Sequence, residues 1–198
     1  MTKTIFSAVI LLSGALLITP LARHEIDPRH SEINFVANAR LISAHGHFDK
    51  WDAEVNLDPE KMENSNVKIT IDAASINTKV APRDAHLRSK DFLWVEQYPT
   101  ITFVSKKVSG VREGHYKIIG DFSLRGVTKE LTVPVEMVFY ENNRGRFRGA
   151  FQLSRSEFGV SYNSAGNPIE DLVQVQFDIN LVNKPTIENK PKAPAVTN

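Results

Sequence analysis

The chain has 198 residues, of which 41% are hydrophobic and 24% are charged, a composition that is typical of a globular protein and excludes a disordered or collagen-like chain. Its formal net charge is +1 and it contains no cysteine, which excludes disulfides, thiolate metal sites and a cysteine nucleophile. No run of Lys and Arg stands out, so nucleic acid is not expected as a partner. The length fits one domain.

The N-terminus has the pattern of a secretory signal peptide. Lys3 precedes a mostly apolar run of 14 residues, 5–18. This length suits the apolar region of a signal peptide and is short for a membrane span. We therefore predict a signal peptide over residues 1–22, cleaved after Ala22, followed by an exported domain over residues 23–183. An uncleaved signal would instead act as a membrane anchor.

Alternation of apolar and polar residues with a period of two dominates the chain from residue 25 onward and indicates β-strands with one buried face. Eight such segments occur, at residues 33–39, 51–57, 67–71, 101–105, 116–124, 131–139, 147–153 and 173–181. Gly46 and Phe48 mark a change of phase before the second segment, which a β-bulge would explain. The sequence therefore predicts a mostly β fold.

Three segments depart from this alternation. Residues 82–94 lack it, and Pro82 suits the first turn of a helix, so one short helix is predicted there. Residues 142–145 (Asn-Asn-Arg-Gly) predict a hairpin turn in which Asn and Gly supply positive φ angles. Residues 184–198 are rich in Pro and Lys, and we expect a disordered tail.

Closing the sheet hides the apolar face of eight strands without leaving an edge. We therefore predict an all-β fold, an eight-stranded antiparallel barrel with one short inserted helix. The interior of such a barrel is either filled by side chains or holds one small ligand. Small residues on the inward row indicate free space with apolar walls; they are Ala37, Ala39, Ala53, Gly120 and Gly149. A barrel filled by its own side chains, with a structural or stress-related role, remains an alternative.

Two groups of polar residues suggest an enzyme as a further alternative. Asp27, His30 and Ser31 have the residue types of a catalytic triad. Neighbours along one extended segment rarely converge on one point, so we expect a turn and capping network instead.

The second group consists of His45, His47 and His86, which together would offer three imidazoles to a zinc ion. We expect these histidines to be solvated polar residues. Neither catalytic residues nor a metal site are predicted.

Seven motifs in a fixed order resemble those of one family. They are residues 26–31 (Ile-Asp-Pro-Arg-His-Ser), 46–48 (Gly-His-Phe), 76–78 (Ile-Asn-Thr), 83–92 (Arg-Asp-Ala-His-Leu-Arg-Ser-Lys-Asp-Phe), 98–103 (Tyr-Pro-Thr-Ile-Thr-Phe), 120–129 (Gly-Asp-Phe-Ser-Leu-Arg-Gly-Val-Thr-Lys) and 154–160 (Ser-Arg-Ser-Glu-Phe-Gly-Val). Each motif is weak alone, whereas the ordered set from about residue 25 to 182 is specific. The chain resembles the YceI-like family of exported lipid- or polyisoprenoid-binding proteins.

The resemblance implies a lipocalin-like barrel that holds a polyisoprenoid, an isoprenoid quinone or a fatty amide in its pore. It implies a periplasmic protein that is often a homodimer, with no catalytic residues and with no cofactor besides the bound lipid. We therefore expect a carrier or reservoir of a long-chain apolar lipid that has transient contact with a membrane.

Inward alternation predicts which residues line such a ligand. They are Phe35, Ala37, Trp51, Val55, Ile69, Ile71, Phe103, Phe122, Leu124, Val133, Met137, Phe151, Leu153 and Phe177. Asn77, His86, Arg155 and Phe158 are expected near the mouth of the barrel, where they would contact the head group of the lipid.

Overall fold

The computed structural model describes residues 22–183. The predicted C-terminal tail, and the predicted signal peptide apart from Ala22, lie outside the described residues. The strands are β1 (Ala22–Ile26), β2 (Glu32–Ala39), β3 (Ala44–Phe48), β4 (Trp51–Leu57), β5 (Asn66–Asp72), β6 (Ile76–Asn77), β7 (Thr100–Arg112), β8 (His115–Leu124), β9 (Val127–Glu141), β10 (Arg144–Ser154) and β11 (Ile169–Asn183). The helix α1 spans Ala81–Arg88, and short 3₁₀ turns occur at Met62–Asn64, Ala73–Ser75 and Ser156–Phe158.

The strands form one closed antiparallel barrel. Its wall follows the order β1-β4-β5-β7-β8-β9-β10-β11, and β11 pairs with β1 to close the ring. At one end β2, β3 and β6 extend the wall, because β2 also pairs with β11, β3 with β2 and β6 with β3. The predicted eight-stranded barrel with one short helix is therefore confirmed.

Three of the eight wall strands are interrupted along their length. β1 and β2 both run antiparallel to β11 and are separated by residues 27–31. β3 and β4 are separated by Asp49 and Lys50, which is where the change of phase after Gly46 and Phe48 predicted an irregularity. β5 continues into β6 through the 3₁₀ turn at Ala73–Ser75.

Tight turns join the long strands at both ends of the barrel. Arg125 and Gly126 connect β8 to β9 with φ angles of 51° and 76°, and Asn142 and Asn143 connect β9 to β10 with 50° and 57°. Positive φ at both central residues defines the type I′ turn that matches the twist of a hairpin. The turn predicted at residues 142–145 is confirmed, but Gly145 belongs to β10 and does not supply a positive φ.

The apolar rows of the strands face the inside of the barrel, where they form two adjoining clusters. In β4, for example, Ala53, Val55 and Leu57 are buried while Asp52 and Glu54 are exposed. We call the end with the β7–β8 and β9–β10 turns the lower end, and the end with α1 the upper end. Residues 22–183 contain no helix that is long and apolar enough to cross a membrane.

Candidate ligand cavity

Two cavities lie one above the other inside the barrel. The lower cavity has a volume of about 150 Å³ and the upper cavity about 460 Å³. Five residues line both cavities: Ile33, Ile71, Phe122, Phe151 and Val175. The interior is therefore an apolar column rather than a core filled by its own side chains.

The lower cavity is lined by apolar side chains of the wall strands and is covered by the loop between β4 and β5. Met62, in the 3₁₀ turn of this loop, lines the cavity. Asp58 fixes the loop by accepting hydrogen bonds from Lys61 N at 2.9 Å and from Asn64 Nδ2 at 2.8 Å. The Asn64 hydrogen bond lowers the pKa of Asp58 below its usual value.

The upper cavity is covered by α1 and by the loop of residues 155–168. Arg155 holds this loop, since its guanidinium donates to the carbonyl oxygens of Val160, Tyr162, Ile169 and Glu170 at 2.7–3.0 Å. Only 8% of Arg155 is exposed. Because these carbonyls engage four of the five N–H groups, Arg155 shapes the mouth chiefly by organising the backbone.

Three rings connect α1 to the same loop. His86 packs edge-to-face against Phe92 at 5.0 Å and against Tyr162 at 4.8 Å, and Phe92 lies 5.0 Å from Tyr162, measured between ring centroids. His86 Nε2 also lies 2.9 Å from Asp91 Oδ2. All three rings line the upper cavity, so this cluster forms part of its cover.

Arg83 brings a cationic side chain to the upper cavity. Its Nε donates to Thr78 Oγ1 at 2.8 Å, and that hydroxyl donates to Asp84 Oδ1 at 2.5 Å. Asp84 and Thr78 are both buried. The Thr78 hydroxyl thereby links the carboxylate to the guanidinium and orients Arg83 along the cavity wall.

Most residues predicted to line the ligand border these cavities. The lower cavity has Val55, Ile69, Phe103, Val133 and Phe177; both cavities have Ile71, Phe122 and Phe151; and the upper cavity has Phe35, Ala37, Leu124 and Leu153. His86 and Arg155, predicted at the mouth, line the upper cavity. Contact of these residues with a lipid stays a prediction.

Four of the predicted residues border neither cavity, so the expected lining is corrected at these positions. Trp51 packs against the buried cluster next to the break between β3 and β4 and borders neither cavity. Met137 lies next to a register shift between β9 and β10, and this shift interrupts the simple alternation. Asn77 donates to Asp49 Oδ2 at 3.0 Å, and Phe158 is 1% exposed and packs edge-to-face against Phe122.

The space does not arise where two of the predicted glycines lie. Rings of neighbouring strands occupy the positions that side chains at Gly120 and Gly149 would take: a Cβ there would lie 2.7 Å from Phe103 Cζ and 2.5 Å from Phe177 Cζ, respectively. Ala37 and Ala39, by contrast, do line the upper cavity.

The alternation missed the residues that come from α1 and the loops. They are Ile42, Arg83, Leu87, Phe92, Leu93, Val160, Tyr162, Ser164 and Asn167. A helix inserted into a barrel is a signal for such residues, because it commonly covers an opening. Val108 in the lower cavity was missed for another reason, since a register shift between Ser105 and Lys107 changes which residues of β7 point inward.

The residues considered for a triad form a local network. His30 Nδ1 lies 2.8 Å from Asp27 Oδ2, and this hydrogen bond is the main cause that lowers the pKa of Asp27. Ser31 Oγ accepts a hydrogen bond from Asn180 N at 2.8 Å. Asp27 and His30 therefore structure the turn between β1 and β2, while Ser31 ties that turn to β11.

The three histidines considered for zinc do not converge on a shared site. His47 Nε2 lies 2.9 Å from Asp49 Oδ1, His86 pairs with Asp91, and His45 is exposed. In the part of the chain that the structure describes, no three His, Cys, Asp or Glu side chains are grouped so that they would hold a metal ion.

Comparisons with known proteins agree with this architecture. A model of the YceI-like domain matches residues 24–181. A UPF0312 protein of Vibrio cholerae is 29% identical over 188 residues, which cover 89% of this chain and 98% of that protein. The crystal structure of BcnA from Burkholderia cenocepacia has a TM-score of 0.74 at 26% identity, covering 79% of this chain and 99% of BcnA.

A polyisoprenoid binding domain from Saccharophagus degradans has the same fold, with a TM-score of 0.64 at 17% identity over 83% of this chain and 99% of that domain. The resemblance found in the ordered motifs is confirmed by the match over residues 24–181. The chain belongs to the YceI-like domain family.

Proposed function

We propose that the barrel binds one long apolar lipid along its axis and does no chemistry on it. The observation that carries the proposal is the pair of adjoining cavities, which share five apolar residues and extend from the lower cover to the upper cover. The upper cavity of about 460 Å³ has a volume typical of small-molecule sites, which span roughly 300–1,000 Å³. The polyisoprenoid binding domain of S. degradans shares this fold and supports an isoprenoid as the ligand class.

Burial of the chain would supply the affinity. At about 0.8 kcal/mol per methylene, fifteen buried groups give roughly 12 kcal/mol before the cost of immobilising a flexible lipid. Because one methylene is worth little, discrimination between chain lengths would be poor. The head group would be selected at the upper end, where Arg83, His86 and Tyr162 line the cavity.

We propose the role of carrier or reservoir in the periplasm, with a polyisoprenoid, an isoprenoid quinone or a fatty amide as cargo. The signal-peptide pattern of residues 1–22 supports export. In the aqueous space between two membranes, a water-insoluble molecule needs the shielding that a carrier provides. The proposal includes a homodimer and transient contact with a membrane.

Mass spectrometry of an organic extract tests this function. The protein is purified from the exported fraction without detergent, and the extract is compared with that of the same protein after delipidation. We expect one isoprenoid or fatty compound at about one equivalent per chain, which rebinds to the delipidated protein. A folded protein whose extract is empty and which binds no added isoprenoid would contradict the proposal.

A further inference from the structure

The hairpin tip between β2 and β3, residues 40–43, carries an unusual pair of apolar side chains. Leu41 is 70% exposed and Ile42 is 64% exposed, the highest values among the large hydrophobic residues that the structure describes. They are adjacent in sequence, and the exposed Arg40 precedes them. Because most of each side chain is exposed, packing within the fold does not explain why these two residues are apolar.

The tip lies at the edge of the upper cavity. Ile42 lines that cavity although most of its side chain is exposed, so the cavity opens beside the tip. Leu41 N donates to Asn167 Oδ1 at 2.8 Å, and Arg40 N donates to Pro168 O at 3.0 Å. The tip is therefore attached to the loop that covers the cavity, and its side chains are held outward by a hydrogen-bonded backbone.

We propose that Leu41 and Ile42 insert into the surface of a lipid bilayer and place the mouth of the upper cavity against it. The inference rests on the proposed function, because a lipid cargo must leave and enter a membrane. Contact at the mouth would let the apolar chain pass between bilayer and barrel with little exposure to water. Arg40 would remain at the level of anionic head groups, as basic residues beside inserted apolar side chains do.

The size of the patch favours a bilayer over a second copy of the chain. Two aliphatic side chains offer roughly 100 Å² each, whereas a stable protein interface buries about 800 Å² per partner. A bilayer, in contrast, accepts a small apolar tip together with a neighbouring positive charge. Because the tip lies beside the mouth of the upper cavity, its insertion would also bring the mouth to the membrane from which a lipid is loaded.

Flotation with vesicles of phosphatidylethanolamine and phosphatidylglycerol tests the surface. The delipidated protein is compared with the double variant Leu41→Ser, Ile42→Ser and with Val111→Ser as the matched control, since Val111 is 57% exposed near the lower end. We expect vesicle binding to fall by about tenfold in the double variant and to be unchanged in the control. Equal binding by all three proteins would overturn the proposal.

Fluorescence gives a second measurement that does not depend on lost binding. Leu41→Trp should show an emission blue shift when the vesicles are added, beyond that of the parent protein, which contains Trp51 and Trp94. Val111→Trp should not. A shift in Val111→Trp alone would place the bilayer contact at the lower end and would overturn the proposal.

Two further outcomes separate this inference from the proposed function and from dimerisation. If the double variant loses self-association in sedimentation while its vesicle binding equals that of the parent, the tip is a contact between copies and the proposal fails. If extracts contain no lipid but vesicle binding still depends on Leu41 and Ile42, the cargo hypothesis fails and the membrane surface stands.

Discussion

The ring of Phe177 lies over Gly149, its partner across the β10–β11 pair. A Cβ atom at position 149 would lie 2.5 Å from Phe177 Cζ and 2.3 Å from the carbonyl oxygen of Pro134. Both separations are far below van der Waals contact, so a side chain fits here only if the ring or the neighbouring strand moves. Phe177 also lines the lower cavity, and the shape of that cavity therefore depends on the glycine.

Gly149→Ala should destabilise the barrel. Forcing a methyl group into this contact costs about 1–3 kcal/mol in the free energy of unfolding. Gly166→Ala is the control, because a Cβ there meets nothing within 4 Å, and its effect should stay within about 0.5 kcal/mol. Urea unfolding of both variants measures the difference; equal stabilities would show that the strand at Pro134 yields without cost.

 The fold was predictable because buried and exposed residues alternate in wall strands such as β4. A period of two predicts such strands wherever one face is buried. The three interruptions were harder to predict, because a break such as Asp49 and Lys50 changes the phase without changing the composition.

The site was only partly predictable from the same pattern. Alternation identifies wall residues such as Phe151 and Leu153, which do line the cavities. It fails at Met137, because the register of the β9–β10 pair shifts between the Arg146–Phe139 and Phe147–Met137 pairs. It also does not identify Tyr162, which reaches the cavity from a loop and whose carbonyl oxygen accepts a hydrogen bond from Arg155.

Val175→Phe should shorten the space available to a ligand. Val175 lines both cavities, so the larger side chain of phenylalanine at this position would fill the junction between them. Since each methylene excluded from the barrel costs about 0.8 kcal/mol, we expect the affinity for a long isoprenoid to fall by at least about tenfold, and that for a short one to fall less. Titration of the delipidated protein with two chain lengths measures this.

The control for this variant is Val104→Phe, because Val104 is 42% exposed on β7 and borders neither cavity. Its affinities should equal those of the parent protein. Equal losses for both chain lengths in Val175→Phe would argue against a ligand that spans the junction.

Arg155→Lys should loosen the loop of residues 155–168. An ammonium group has three donors and no planar fork, so it cannot reproduce the four hydrogen bonds of the guanidinium. We expect a loss of about 2–4 kcal/mol in the free energy of unfolding and faster proteolysis within this loop. Arg148→Lys, at an exposed pair with Glu136, should cost no more than about 1 kcal/mol; equal losses would assign no special role to Arg155.

Asp171 should make the stability depend on pH. Hydrogen bonds from Ser154 first, and then from Ser156, lower its pKa below the ordinary value. Because the folded-state pKa lies below the unfolded one, the carboxylate stabilises the fold above the unfolded-state pKa of about 3.9, and this contribution is lost as the pH falls through the folded-state pKa. The stability difference between the parent and Asp171→Asn should therefore shrink in acid.

Unfolding in urea at a series of pH values from about 7 down to about 2 measures that difference. Ser154→Ala removes the hydrogen bond with the largest effect on Asp171, so the loss of stability that Asp171 causes in acid should be smaller than in the parent protein and should level off at a higher pH. A difference between parent and Asp171→Asn that is constant over the whole range would contradict the assignment.

Tyr162→Ala should speed the exchange of ligand through the upper end. Its ring joins the loop to His86 of α1 and to Phe92, which follows α1, and removing it opens the cover while leaving the barrel wall intact. Since such changes act mainly on dissociation, we expect release of a bound fluorescent isoprenoid to become about tenfold faster, measured after adding excess unlabelled ligand. Trp94→Ala is the control, because Trp94 packs against Tyr98 outside both cavities; equal acceleration in both variants would show that release does not pass through the His86–Phe92–Tyr162 cover.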